Sequence, residues 1–252
     1  MKSAWLASIW IGMLLAASVP AAENPVSPSD STGDADVSDL PLQEVKAAGP
    51  GKDVMAILIT GDGGWAYFVR RIASRLADSG VPTVGLNSFQ YLFHRKSPQA
   101  VSADLARIMR HYGKAWGRDR FLLIGYSLGA DVFPTMINGL PPGLRGKIAS
   151  LTLLGAAQSY DLEFHVTEWL WSPREGNLPL LPEVEKLRGM RILCIYGKEE
   201  SESLCPDLPA DLATTIPMTG GHHFGGAFGE IAGRILQSDS AGADYLPNRS
   251  PR

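Results

Sequence analysis

The sequence predicts an α/β fold, a mostly parallel sheet with helices on both faces. Three observations carry this. The strand candidates, such as residues 54–60 and 121–124, are continuous apolar runs, which marks strands buried on both sides. Those runs alternate with segments of helical spacing, the order that builds parallel sheets. The 252 residues, 45% of them hydrophobic, are enough for one large domain with a full core.

The elements follow in chain order. Residues 1–22 read as a signal peptide: Lys2 supplies the positive end, residues 4–17 are apolar, and Val19-Pro20-Ala21-Ala22 offers small residues for cleavage. The apolar run is short for a membrane-spanning helix. A periplasmic, exported protein is expected, with an uncleaved anchor as the alternative. Residues 23–39, rich in Pro, Ser, Asp and Gly, read as a disordered linker. The domain is expected over residues 40–237, beginning with an edge strand at 40–46.

The buried strand at 54–60 is broken by Gly61-Asp62-Gly63-Gly64. Residues 67–78 have helical spacing, with Phe68, Ile72 and Leu76 four apart. A strand at 82–86 leads to an aromatic loop at 87–96. Ser97-Pro98 opens a helix running to about Tyr112, with Pro near its first position. Strands follow at 120–124, 147–154, 191–196 and 213–217. Residues 156–188 look irregular, residues 227–237 form a last helix, and 238–252 form a mobile polar tail.

Chemistry concentrates at Gly125-Tyr126-Ser127-Leu128-Gly129, which sits between an apolar strand and a helix expected over residues 130–139. Such a turn strains the serine and lifts its hydroxyl clear of the sheet, at the start of a helix. Alone, the pentapeptide is a weak signal, because Gly and Ser are common in turns. A nucleophilic Ser127 needs a base, and the base an orienting acid. Tyr196-Gly197-Lys198-Glu199-Glu200 ends a strand, and Gly220-Gly221-His222-His223-Phe224 precedes the last helix. Ser, then acid, then His is the chain order of the α/β-hydrolase fold. His222, directly after Gly-Gly, is favoured as base, with His223 the alternate. Glu200 is favoured as acid over Glu199, because it stands three residues past Gly197.

The amides of Asp62 and Leu128 are the oxyanion-hole candidates. The glycine-rich turn at 61–64 lacks the Lys-Ser/Thr ending of a phosphate-binding loop. No His, Cys and Asp cluster has metal-ligand spacing, so neither metal nor cofactor is expected. A net charge of −3 gives no basic field for direct nucleic-acid binding. Cys194 and Cys205, the two cysteines, are expected to pair in an oxidising compartment, around the segment that carries the acid.

The chain resembles the AcvB/VirJ family of bacterial virulence-associated proteins, in its short single-domain form. The resemblance rests on Thr60-Gly-Asp-Gly-Gly-Trp65, Gly85-Leu-Asn-Ser88, Gly125-Tyr-Ser-Leu-Gly-Ala-Asp-Val132, Cys194-Ile-Tyr-Gly197 with Leu204-Cys205, and Gly220-Gly-His-His-Phe224. Leu128 departs from the phenylalanine associated with that place, where the amide would act. The resemblance implies a periplasmic α/β hydrolase that cleaves the aminoacyl ester of lysyl- or alanyl-phosphatidylglycerol. It also implies a second reading, a binding protein associated with type IV secretion components whose triad is dispensable. A generic exported esterase or lipase is the rival within enzymes.

The aminoacyl ammonium would need acidic partners, for which Asp62 and Asp131 are candidates, with Trp65 beside them as a further substrate contact. The alternative role for Asp131 is to stabilise its helix N-terminus alone. Phe89, Tyr91, Leu92 and Phe93 neighbour His94, Arg95 and Lys96, and Trp169, Leu170 and Trp171 form a second cluster. These aromatics either reach a lipid headgroup layer or fill the core beneath their loops.

Overall fold

The computed structural model describes residues 35–48, 51–163 and 178–240. The expected signal peptide, the aromatic cluster at 169–171 and most of the expected polar tail lie outside the described residues. Seven strands form one sheet in the order β1-β3-β2-β4-β5-β8-β9. They are β1 (Leu42–Val45), β2 (Val54–Ile59), β3 (Thr83–Leu86), β4 (Arg120–Tyr126), β5 (Ile148–Leu154), β8 (Ile192–Gly197) and β9 (Thr214–Met218). Only the edge strand β1 runs antiparallel to its neighbour; the other pairings are parallel. β6 (Ser159–Tyr160) and β7 (Leu178–Pro179) make a small separate pair.

Alternation along β2 explains the two cores. Met55, Ile57 and Ile59 pack with one buried cluster, while Val54, Ala56 and Leu58 pack with the other. The first cluster takes Leu105, Ile108 and Met109 of α3 (Pro98–Trp116), with Phe133, Met136 and Ile137 of α4 (Leu128–Asn138). The second takes Phe68, Ile72 and Leu76 of α1 (Tyr67–Asp78), with Ile231 and Ile235 of the last helix. This is a mostly parallel sheet covered on both faces, as the apolar runs predict.

The remaining helices are short or terminal: α2 (Ser88–Tyr91), α5 (Pro142–Arg145), α6 (Leu181–Glu185) and α7 (Phe228–Ser240). α3 starts where expected, with the Ser97 side chain accepting from the Ala100 amide at 3.1 Å. It ends at Trp116, four residues beyond Tyr112, with left-handed Gly117 as its cap. Gly113 lies inside it, where the bare Cα lets the Arg118 carbonyl and the Phe121 ring come close.

Two expected boundaries move for electrostatic reasons. The end of the expected linker packs on α3: Val37 is buried, Arg107 grips the Asp36 carbonyl and pairs with Asp39, and His111 Nδ1 lies 3.0 Å from the Ala35 carbonyl. At the other end α7 continues through the first residues assigned to the tail. Asp239 pairs with Arg120 at 2.6 Å, and the Ser238 carbonyl accepts from Arg191 at 2.5 Å. The aromatic loop divides: Tyr91 and Leu92 are buried, whereas Phe89 and Phe93 are 38% and 51% exposed.

Cys194 and Cys205 form a disulfide across 11 positions, and both are fully buried. The bond ties β8 to the turn that follows the acid-bearing segment. Replacing both cysteines by alanine is expected to destabilise the protein by about 2–5 kcal/mol. A urea midpoint unchanged by the double substitution would count against that clamp.

Candidate active site

The site lies at the carboxyl ends of the parallel strands, where open α/β sheets build their ligand crevices. Ser127 follows β4 directly and caps α4 with φ 57°. A left-handed backbone at a serine is sparsely populated and persists only where its surroundings enforce it. Gly125 and Gly129 make room for it here. A methyl on Gly125 would stand 2.6 Å from the Ala130 amide, and one on Gly129 2.6 Å from the Ile59 carbonyl carbon. Only bare Cα atoms let strand, turn and helix approach so closely.

His222 sits in the loop between β9 and α7. Its Nε2 lies 2.8 Å from Ser127 Oγ, and its Nδ1 is hydrogen-bonded to Glu200 Oε1. Glu200 is fixed from behind: Oε2 accepts from the Gly197 amide at 2.6 Å, and its own amide donates to the Gly197 carbonyl at 3.0 Å. The three-residue spacing from Gly197 therefore closes a turn around the carboxylate. The chain thus brings Ser127, His222 and Glu200 into one hydrogen-bonded line.

The alternates sit apart from that line. The His223 ring packs edge-on to Phe68 at 6.3 Å and near Tyr126 at 6.5 Å. Glu199 is exposed on the wall of the cleft.

Burial opposes ionisation of Glu200, but the bonds from His222 and the Gly197 amide outweigh it and hold the carboxyl below its usual 4.5. The sign for stability follows from linkage. A depressed carboxyl stabilises the fold fully above its unfolded value and loses that contribution as pH falls through the folded one. The advantage of the parent over Glu200→Gln is therefore expected to shrink as pH drops below 4.5. Melting curves of both proteins against pH check this, and a gap that widens on acidification would refute it.

Two residues that the sequence does not single out shape the site. The Tyr126 ring stacks 5.2 Å from the His222 ring, and its hydroxyl donates to the His222 carbonyl at 3.3 Å. Gly155, at φ 63°, passes under the imidazole, and a methyl there would lie 2.8 Å from His222 Cε1. Its one sequence signal is a glycine directly after an apolar strand, at the edge where the site is built.

A cleft of about 800 Å3 opens over His222 and Gly61. Ser127 lies beneath them, 1% exposed. The lining of the cleft includes the apolar side chains of Tyr67, Phe68 and Phe228 and the acidic ones of Asp62, Glu199 and Glu202. No lysine or arginine is among the described residues that line it. Nor do the described residues include a group of His, Cys, Asp or Glu placed to hold a metal ion.

Two expected substrate contacts are corrected. Asp131 is 2% exposed, does not line the cleft, and its Oδ1 accepts from the Ala157 amide at 2.8 Å. It braces the segment after β5 against α4. Trp65 turns away from the cleft, and its indole covers Gly85 of β3, where no side chain stands in the way.

The profile of the family described as bacterial virulence protein (VirJ) matches residues 53–243. The chain belongs to the VirJ family. That match takes in every element from β2 through α7, and with them the whole Ser127–His222–Glu200 line. No curated protein sequence matches the chain.

Among solved structures, this VirJ-family chain is similar to Est1E from Butyrivibrio proteoclasticus. The two are 13% identical with a TM-score of 0.57, over 83% of this chain and 98% of that one. An alpha-beta serine hydrolase homologue from Coxiella burnetii is 16% identical with a TM-score of 0.55, over 78% and 89%. Proline iminopeptidase from Mycobacterium smegmatis is 14% identical with a TM-score of 0.54, over 79% and 95%. At such identities the likeness establishes the fold, which is that of the α/β hydrolases.

Proposed function

We propose that this VirJ-family protein is a periplasmic serine hydrolase that cleaves the aminoacyl ester of aminoacyl-phosphatidylglycerol. The observation that carries the hydrolase reading is the line from Ser127 through His222 to Glu200, with the serine at the N-terminus of α4. Ser127 Oγ attacks the aminoacyl carbonyl while His222 Nε2 takes its proton. Glu200 holds the imidazole at Nδ1 and stabilises the charge that forms there. The tetrahedral oxyanion is met by the Asp62 and Leu128 amides, the latter at a helix N-terminus whose N–H groups lack intrahelical partners. His222 then returns the proton to the departing glycerol oxygen of phosphatidylglycerol. Water, activated by the same imidazole, releases the amino acid from Ser127.

The substrate assignment is supported by family membership and by the charge of the cleft. An ammonium beside the scissile ester meets a cleft whose described lining includes Asp62, Glu199 and Glu202 and no lysine or arginine. Tyr67, Phe68 and Phe228 offer apolar surface to the rest of the ligand. The buried disulfide supports an exported, oxidising location.

The test is incubation of the purified protein with lysyl- and alanyl-phosphatidylglycerol, beside Ser127→Ala, with free amino acid and phosphatidylglycerol as readouts. Release that depends on Ser127 supports the assignment. Hydrolysis of simple esters without release from either lipid leaves a general exported esterase. The same release from Ser127→Ala would end the serine mechanism.

A further inference from the structure

Thr60 opens one of the sequence motifs and Ser88 closes another, and neither belongs to the Ser127–His222–Glu200 line. Both are completely buried. Hydroxyls buried so deeply cost free energy unless they are hydrogen-bonded, so the destination of their bonds is informative.

They converge on a single atom, the carbonyl oxygen of Gly61. Ser88 Oγ donates to it at 2.7 Å, Thr60 Oγ1 at 3.0 Å, and the Gly64 amide at 2.9 Å. The Ser88 amide in turn donates to Thr60 Oγ1 at 3.0 Å, which fixes that hydroxyl. Three donors on one carbonyl exceed its two lone pairs, an unusual concentration for a loop.

The peptide that begins at this carbonyl ends at the Asp62 N–H. In a trans peptide the two groups point in opposite directions, and the described chain has no cis bond. β2 lies between β3 and β4 in the sheet. Ser88 follows β3, so the hydroxyl donors draw the Gly61 carbonyl toward that side. The Asp62 N–H is thereby turned toward the β4 side, where Ser127 stands. Contact there is already close, since a methyl on Gly61 would lie 3.0 Å from Ser127 Cβ. The Asp62 carboxylate is folded back on its own loop, accepting from the Gly63 amide at 2.9 Å.

We infer that Thr60 and Ser88 are positioning residues that aim the Asp62 N–H at the oxyanion. By polarising the Gly61–Asp62 peptide they also make that N–H a stronger donor, because linked hydrogen bonds reinforce one another. The inference rests on the serine-hydrolase reading and adds to it the machinery that orients one donor.

The test uses Ser88→Ala and the near-isosteric Thr60→Val in the full protein, with p-nitrophenyl acetate as substrate. A trifluoromethyl ketone that adds to Ser127 serves as tetrahedral probe, and melting temperature identifies the folded variants. Losing one oxyanion donor outright costs about 10²- to 10³-fold in kcat. Misaiming it is expected to lower kcat by about 10- to 100-fold in each variant, with KM nearly unchanged. Affinity for the ketone should fall in parallel, which a merely structural role would not produce. Thr60→Ser, which keeps the hydroxyl, should match the parent.

Folded variants that keep parental kcat would overturn the inference, as would a lower kcat with undiminished ketone affinity. An equal loss in Thr60→Ser would overturn it too. Should Ser88→Ala not fold, the contrast between Thr60→Val and Thr60→Ser decides alone. A parent protein without Ser127-dependent turnover is a different failure: it removes the hydrolase reading, and this inference with it.

Discussion

His222→Ala is expected to lower kcat for ester hydrolysis by about 10⁶-fold, and adding Ser127→Ala to it to lower kcat no further. The reason is a shared proton. Ser127 Oγ and His222 Nε2 are 2.8 Å apart, so the hydroxyl becomes a nucleophile only as the imidazole takes its proton. Removing either partner removes the same step, and the second removal has nothing left to take away. Residual turnover then comes from binding and the oxyanion donors alone. Single-turnover release of p-nitrophenol from a short ester measures both variants. Losses that multiply in the double variant would mean that the two side chains act separately.

Gly129→Ala is expected to cost more than about 4 kcal/mol, an exceptional value that steric conflict with fixed backbone reaches. The added methyl would lie 2.6 Å from the Ile59 carbonyl carbon and 2.7 Å from the Thr60 oxygen. Those are backbone atoms at the end of β2, a strand held in its ladder by β3 on one side and β4 on the other. No side chain can swing away to relieve the conflict. Gly233→Ala supplies the contrast. It sits within α7 with nothing within 4 Å of an added methyl. There alanine is expected to stabilise by roughly 1 kcal/mol through helix propensity. Urea midpoints of the two variants should move in opposite directions, and a Gly129→Ala protein as stable as its parent would show that the tight crossing of α4 over β2 is misjudged.

Much of the fold was legible because it is written in local periodicity. The helix at Tyr67–Asp78 shows as Phe68, Ile72 and Leu76 on one face, and β2 shows as an unbroken apolar run. Chain order and flanking glycines pointed to the residues that meet at Ser127. What stayed hidden depends on where distant backbone arrives. Asp131 stands one helical turn from Ser127, but the amide that claims its carboxylate belongs to Ala157. Trp65 follows the cleft loop, yet the gap it fills is the missing side chain of Gly85 on another strand. The polar stretch before β1 reads as linker by composition. Its last residues, 35–39, are drawn onto the domain by Arg107, some 70 residues away in sequence.

Covalent capture of the serine tests the central claim most directly. The folded protein is treated with a fluorophosphonate, which reacts with a hydroxyl only when a base activates it, and the modified peptide is identified by mass spectrometry. The account predicts one phosphonyl group on the peptide carrying Ser127, and none after the same treatment of His222→Ala. An unmodified Ser127 in the parent, or equal labelling of the two proteins, would contradict it.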